Sequence, residues 1–169
     1  MKAAFILFDR MTTLDFIGFY DPVTRLQSMK LLDGFEWRIC ARTAVVTDDR
    51  GLKIEADSAG ESLDFCDLLF IPGGFGTRAL QHDRGFLQWI RTADKATLKV
   101  SVCTGALILG AAGYLAGRRA TTHPGAYTEL GPYCAQVLAE RVVDEGEVIT
   151  AGGVSSAIDL GLHVVERLA

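Results

Sequence analysis

Short apolar runs alternate with helically spaced stretches along this chain. KAAFILF, closed by Asp9, predicts a buried strand. From Thr12 the spacing turns helical, through Leu14, Ile17, Tyr20 or Asp21, Val23, Leu26 and Met29, with Pro22 marking a break or a new first turn. EWRICAR alternates and predicts a second strand. AVVTDDRGLKIEA predicts a hairpin around its Asp-Asp-Arg-Gly turn. DLLFIPGG reads as a strand running into a loop, and Thr77 to Ala93 as a helix with Leu80, Phe86, Leu87 and Ile90 on its apolar face.

LKVSV is then a strand, followed directly by a helix in TGALILGAAGYL, with stop signals at Gly113 and Gly117. RRATT predicts a short strand, a turn at His123–Pro124–Gly125 and a short helix. ERVVDEGEVITAGG predicts a hairpin turning at Glu145–Gly146. VSSAIDLGLHVVERLA, with Ile158, Leu162 and Val165, predicts the last helix. Strands alternating with helices imply an α/β fold, a mostly parallel sheet with helices on both faces. No repeat, low-complexity tract or linker divides residues 1–169, so a single domain is expected.

Composition narrows the partners. The chain has 49% hydrophobic and 22% charged residues, typical of a globular protein, and a formal charge of −4. Arg118–Arg119 is the only adjacent basic pair, which argues against nucleic acid and anionic membrane. The apolar run after Lys2 is too short for a signal peptide, so a cytoplasmic protein is expected. Val100 to Gly117 is free of charge and touches the lower length limit of a membrane span. Its glycines and its change from β-like to helical spacing favour a strand–turn–helix in a core. The histidines at 82, 123 and 163 have no ligand spacing, and GGFG is not a dinucleotide fingerprint. No metal and no cofactor are expected.

In open α/β sheets ligands bind beyond the carboxyl ends of the strands. Asp15 follows the first predicted strand, Gly73 and Gly74 follow DLLFIP, Cys103 follows LKVSV, and His123 follows RRATT. Each has a plainer reading: a solvated helix cap for Asp15, a turn for the glycines and for His123, core packing for Cys103. The plainer reading is kept for Cys40, Cys66 and Cys134. Cys103, between Val102 and Thr104–Gly105, occupies the place of a strand-to-helix nucleophile elbow. A helix N-terminus beside it is expected to lower the thiol's pKa. Amides near Gly73–Gly74 and Thr104 are expected to stabilise developing negative charge. Asp15, pressed against the sulfur, is expected to have its pKa raised and to serve as a general acid.

IPGGFG (71–76), SVCTGALILGAAGYLAGRRATTHPG (101–125) and AGGVSSAIDLGLHVVE (151–166) resemble the ThiJ/PfpI superfamily. The resemblance implies a flavodoxin-like three-layer sandwich of the class I glutamine amidotransferase type, with the nucleophile elbow at Cys103. It covers nearly the whole chain. The superfamily includes peptidases, glyoxalase-like or deglycase enzymes, chaperones, isonitrile hydratases and sensor domains. Thr104 stands where the peptidase branch has histidine. Asp15, within LDFIGFYDP, stands where many relatives have glutamate and resembles the isonitrile hydratase branch and the related sensor domains.

That branch implies Cys103 as nucleophile, Asp15 as acid/base partner, Thr104 as a pocket hydroxyl and amide, and Gly73, Gly74 and His123 as binding residues. It implies a small-molecule substrate, water addition to an isonitrile and a homodimer. Pro124 replaces the aromatic residue of the hydratases, and the chain ends sooner after its final helix than they do. The alternatives are a glyoxalase-like or deglycase enzyme, in which His123 shuttles protons, and a non-enzymatic redox or ligand sensor.

Overall fold

The computed structural model describes Met1–Ala169. In chain order the elements are β1 (Lys2–Ile6), α1 (Thr13–Ser28), β2 (Glu36–Ala41), β3 (Val45–Thr47), β4 (Lys53–Glu55), β5 (Ser58–Ala59), β6 (Leu68–Ile71), α2 (Thr77–Leu80), α3 (Arg84–Arg91), β7 (Leu98–Val102), α4 (Gly105–Ala111), β8 (Arg119–Ala120), α5 (Tyr127–Leu130), β9 (Gln136–Val137), β10 (Val142–Asp144), β11 (Val148–Ala151) and α6 (Ser156–Leu168). Seven strands form one sheet in the order β10-β11-β7-β6-β1-β2-β5. Every pairing in it is parallel except β10 with β11. β3 with β4, and β8 with β9, form separate two-stranded sheets.

All residues of β6 and β7 are buried, those on both faces included, so the centre of the sheet is covered on either side. On one face Phe5 of β1 and Phe70 of β6 meet Phe16 and Phe19 of α1, and Phe19 stacks on Phe70 with ring centroids 3.9 Å apart. This is the flavodoxin-like α/β sandwich expected from the sequence.

Two local expectations fail for physical reasons. α1 does not break at Pro22: it packs closely along α6, and the Pro22 ring fills the space where a side chain on Gly161 would be, 2.5 Å from that Cβ position. Tertiary packing outweighs the lost N–H. The helix expected over Thr77 to Ala93 is two helices, because Asp83 caps the second by accepting from Phe86 N–H at 3.0 Å. The short strand expected in RRATT is present as β8, which pairs with β9 outside the main sheet. The charge-free stretch divides between β7, the elbow and the short α4, and no helix is long and apolar enough to cross a membrane.

Candidate active site

β7 ends at Val102 and α4 starts at Gly105, leaving two residues to reverse the chain. Cys103 does this with φ 53°, in the left-handed region that L-residues avoid. Three hydrogen bonds hold it there. Its N–H is shared between the carbonyls of Ala151 (3.0 Å) and Gly152 (2.8 Å), and its own carbonyl accepts from the Thr122 hydroxyl at 2.8 Å. Gly105 follows because a side chain there would run into the Ile71 carbonyl. The thiol is 6% exposed.

Asp15 lies in the first turn of α1 and is completely buried. It is no solvated cap; Thr12 holds the cap position. Its Oδ2 accepts from Gly73 N–H at 3.0 Å, while Oδ1 is buried without a hydrogen-bond partner of ordinary geometry. The Cys103 thiol makes no hydrogen bond of ordinary geometry to the carboxyl, but the two lie close enough to shift each other's pKa. Burial raises Asp15 to about 7, against the lowering pull of the Gly73 N–H and the thiol. Burial, and next the charge of Asp15, push Cys103 up to about 12, although the N–H and hydroxyl of Thr104 pull it down. The expected lowering of the thiol's pKa is therefore corrected: desolvation outweighs the turn's N–H groups. At neutral pH the sulfur is a thiol beside a carboxyl poised to gain or lose a proton.

Gly73 and Gly74 serve this pair from below. A side chain at Gly73 would sit 2.7 Å from Cys103 Cβ and 2.8 Å from Asp15 Oδ2. Gly74, at φ 133°, passes so close to Met11 and Thr12 that only glycine fits. Both amides are engaged. Gly73 N–H holds Asp15, and Gly74 N–H donates to the Thr104 hydroxyl at 3.0 Å. That hydroxyl lies 3.1 Å from the Gly74 carbonyl, to which it donates. The expected anion-stabilising role of the glycine amides thus has no free donor here; they position the acid and the threonine.

His123 reaches the site although β8 lies outside the main sheet. Thr121 N–H donates to Thr150 Oγ1 of β11 at 2.9 Å, and Thr122 ties the segment to Cys103. His123 Nδ1 accepts from Gly125 N–H at 3.0 Å, so the neutral ring carries its proton on Nε2. A pocket of about 240 Å³ brings Cys103, Thr104, Gly74 and His123 together with Thr12, Phe75, Arg78, Gly125 and Val154. Asp15 and Gly73 lie beneath its lining. The sequence reading missed Phe75 and Arg78, whose only signal is that they lie within four residues after IPGG. A larger hollow of about 380 Å³, between Phe8, Val46 and Phe86, has neither Cys103 nor Asp15 in its lining and offers none of this chemistry. No three His, Cys, Asp or Glu side chains converge as a metal site would require.

A parallel sheet with a cysteine on a left-handed strand-to-helix turn, backed by a buried carboxyl, defines the class of α/β cysteine-elbow proteins. Comparison makes this particular: the chain belongs to the DJ-1/PfpI family, whose model matches residues 1–167. It is 35% identical over 170 residues to isonitrile hydratase of Pseudomonas putida, covering 99% of this chain and 72% of that one. It is 30% identical to the HTH-type transcriptional regulator CdhR of Pseudomonas aeruginosa, covering 96% of this chain but 49% of the regulator. Among solved structures, a ThiJ/PfpI family protein from Pseudomonas syringae superposes with a TM-score of 0.88 at 33% identity, covering 99% of this chain and 68% of that one. DJ-1beta of Drosophila melanogaster shares the fold, with a TM-score of 0.82 at 22% identity, covering 99% of this chain and 90% of that one.

Proposed function

We propose that the protein is a cysteine-dependent hydratase that adds water to small isonitriles and releases N-substituted formamides. The observation that carries this reading is the buried Asp15–Cys103 pair, whose carboxyl titrates near 7 against a neutral thiol. An isonitrile is uncharged, and its terminal carbon must gain both a nucleophile and a proton. A dry pair that passes one proton between sulfur and carboxylate supplies both without a free charge entering the pocket. The likeness to the Pseudomonas putida hydratase supports the same reading.

In the first step Asp15 takes the thiol proton as sulfur bonds to the isonitrile carbon. The proton then passes to that carbon, leaving a thioimidate in which S–CH is doubly bonded to nitrogen. Water adds next to the carbon. Its oxygen bonds there, one proton passes through Asp15 to nitrogen, and the C–S bond breaks as the remaining hydroxyl proton returns to sulfur. The sum is isonitrile plus water giving formamide, with thiol and carboxyl restored. Thr104 holds the Gly74 loop, and Gly73 holds the acid in reach.

Incubation with an aliphatic isonitrile, with the formamide followed by mass spectrometry, tests the activity. Formation of the formamide by Cys103→Ala at the wild-type rate would sink the mechanism. A ligand-sensing role is the second reading, favoured by the similarity to the CdhR regulator. The raised thiol argues against peroxide sensing, which needs a ready thiolate. A glyoxalase-like reaction through His123 predicts lactate from methylglyoxal, so the absence of lactate removes it.

We also propose a cytoplasmic homodimer. Leu14 and Ile17 of α1, and Ile158 and Leu162 of α6, stand between 43% and 55% exposed on two helices that pack together. A partner copy would cover them.

A further inference from the structure

The pocket above Cys103 is lined on one side by apolar groups, Phe75 and Val154, and by one permanently charged side chain, Arg78. No carboxylate is among its lining residues. Arg78 stands on α2, which follows directly from the Gly73–Gly74 loop. The backbone that positions Asp15 and Thr104 therefore also sets the place of the guanidinium.

The guanidinium is only partly engaged. Its Nη2 donates to Glu129 Oε1 of α5 at 3.3 Å, a long contact between side chains that are 40% and 37% exposed. A guanidinium has five N–H donors in a planar fork that matches a carboxylate. No other acceptor takes a hydrogen bond from the Arg78 side chain. A cation with unused donors, facing a pocket without a competing anion on its wall, is built to receive one.

We propose that Arg78 binds an anionic group on the substrate, so that the site prefers small isonitriles carrying a carboxylate at the far end from the isonitrile carbon. This substrate class rests on the hydratase reading above. The apolar wall at Phe75 and Val154 receives the carbon chain between the two ends. The carboxylate shares the guanidinium with Glu129 or displaces it. The chemistry at Cys103 is unchanged, because the anion binds away from the sulfur and adds no charge to the buried pair.

The test measures kcat/KM for a series of ω-isocyanocarboxylates of increasing chain length and for their methyl esters. The wild type is expected to favour the acid over its ester at a preferred length. Arg78→Met is expected to lower the acid-to-ester ratio by about 10- to 100-fold, the range for losing hydrogen bonds to a charged group. Glu129→Gln is expected to raise that ratio severalfold, because it removes the anion that competes for Arg78. If esters are hydrated as well as acids by the wild type, or Arg78→Met leaves the ratio unmoved, the proposal is overturned while the hydratase reading stands.

If no isonitrile is converted, the hydratase reading itself falls, and binding decides the role of Arg78. Calorimetry on Cys103→Ala would compare an N-formyl ω-aminocarboxylate with its methyl ester. A preference for the acid that Arg78→Met abolishes supports the anion site. Equal binding of acid and ester overturns it and leaves Arg78 as a tie between α2 and α5.

Discussion

Asp15 and Gly73 are joined by a hydrogen bond of 3.0 Å across fifty-eight residues of sequence, and this bond fixes the acid under the Cys103 sulfur. A Cβ at position 73 would fall 2.7 Å from both Cys103 Cβ and Thr104 N, and 2.8 Å from Asp15 Oδ2. Two of those atoms belong to the elbow, which cannot move without losing its own hydrogen bonds. Gly73→Ala is expected to cost roughly 1–3 kcal/mol, as overpacking does, and to abolish formamide production. Urea denaturation and the isonitrile assay read the two effects separately.

Asp15 makes activity and stability run in opposite directions with pH. Its folded pKa, about 7, lies above its ordinary value of 3.8, so the folded state holds the proton more tightly. The contribution of Asp15 to stability is therefore greatest below about 4, falls as pH rises toward 7, and levels off beyond, while the lowered Asp48 and Asp144 contribute the opposite slope at acid pH. kcat/KM should rise through the same range, as the pair drops to its single-proton form. Asp15→Asn keeps an acceptor for Gly73 but no charge. It should remove the stability slope contributed by this residue and leave a low, flat pH–rate profile. Thermal melts across pH and a pH–rate profile are the measurements.

The same variant should move the thiol the other way. The charge of Asp15 is the second cause of the raised Cys103 pKa, after burial. Asp15→Asn should lower it and speed alkylation of Cys103 by iodoacetamide at alkaline pH, while formamide production falls. Peptide mass mapping over time would show the alkylation. Slower alkylation would mean that the two groups are not electrostatically coupled.

Thr104 separates positioning from chemistry. Its hydroxyl is tied to Gly74 in both directions, and a valine would leave the buried Gly74 N–H unsatisfied. Thr104→Val is expected to cost about 1–3 kcal/mol and to lower kcat. Thr104→Ser keeps the hydroxyl and should restore most of both. Failure of serine to rescue would mean that the threonine methyl, and not the hydroxyl, holds the loop.

The apolar face of α1 and α6 predicts association. Sedimentation should show a dimer, and Ile17→Glu should shift it to monomer, since Ile17 is 43% exposed on α1, which packs against α6 with its exposed Ile158 and Leu162. A monomeric wild type would remove the dimer from the picture.

The alternation of strands and helices was legible in the sequence: β6 is a continuous apolar run, β7 is a short β-like stretch, and Cys103 sits where β7 meets a helix. Gly105 was legible as part of the elbow, but the Ile71 carbonyl that requires a glycine there comes from a neighbouring strand. Pro22 was misleading because what tolerates it, Gly161, lies on a helix far along the chain. The sign of the thiol's shift was hidden for a related reason. Local sequence shows the turn that favours a thiolate, whereas the desolvation that opposes it comes from layers brought together only by folding. The glycine amides were visible as residues, but their engagement with Asp15 and Thr104 depends on α1 and α4 meeting the same loop.

The left-handed backbone at Cys103 has one more consequence. A glycine would adopt φ 53° freely, while any L-residue there carries a conformational penalty of about 1 kcal/mol or more. The fold would therefore accept Cys103→Gly at least as readily as Cys103→Ala, and each would be inert toward isonitrile. The position proposed to carry the reactivity is thus one where local conformational preference favours a residue with no side chain at all.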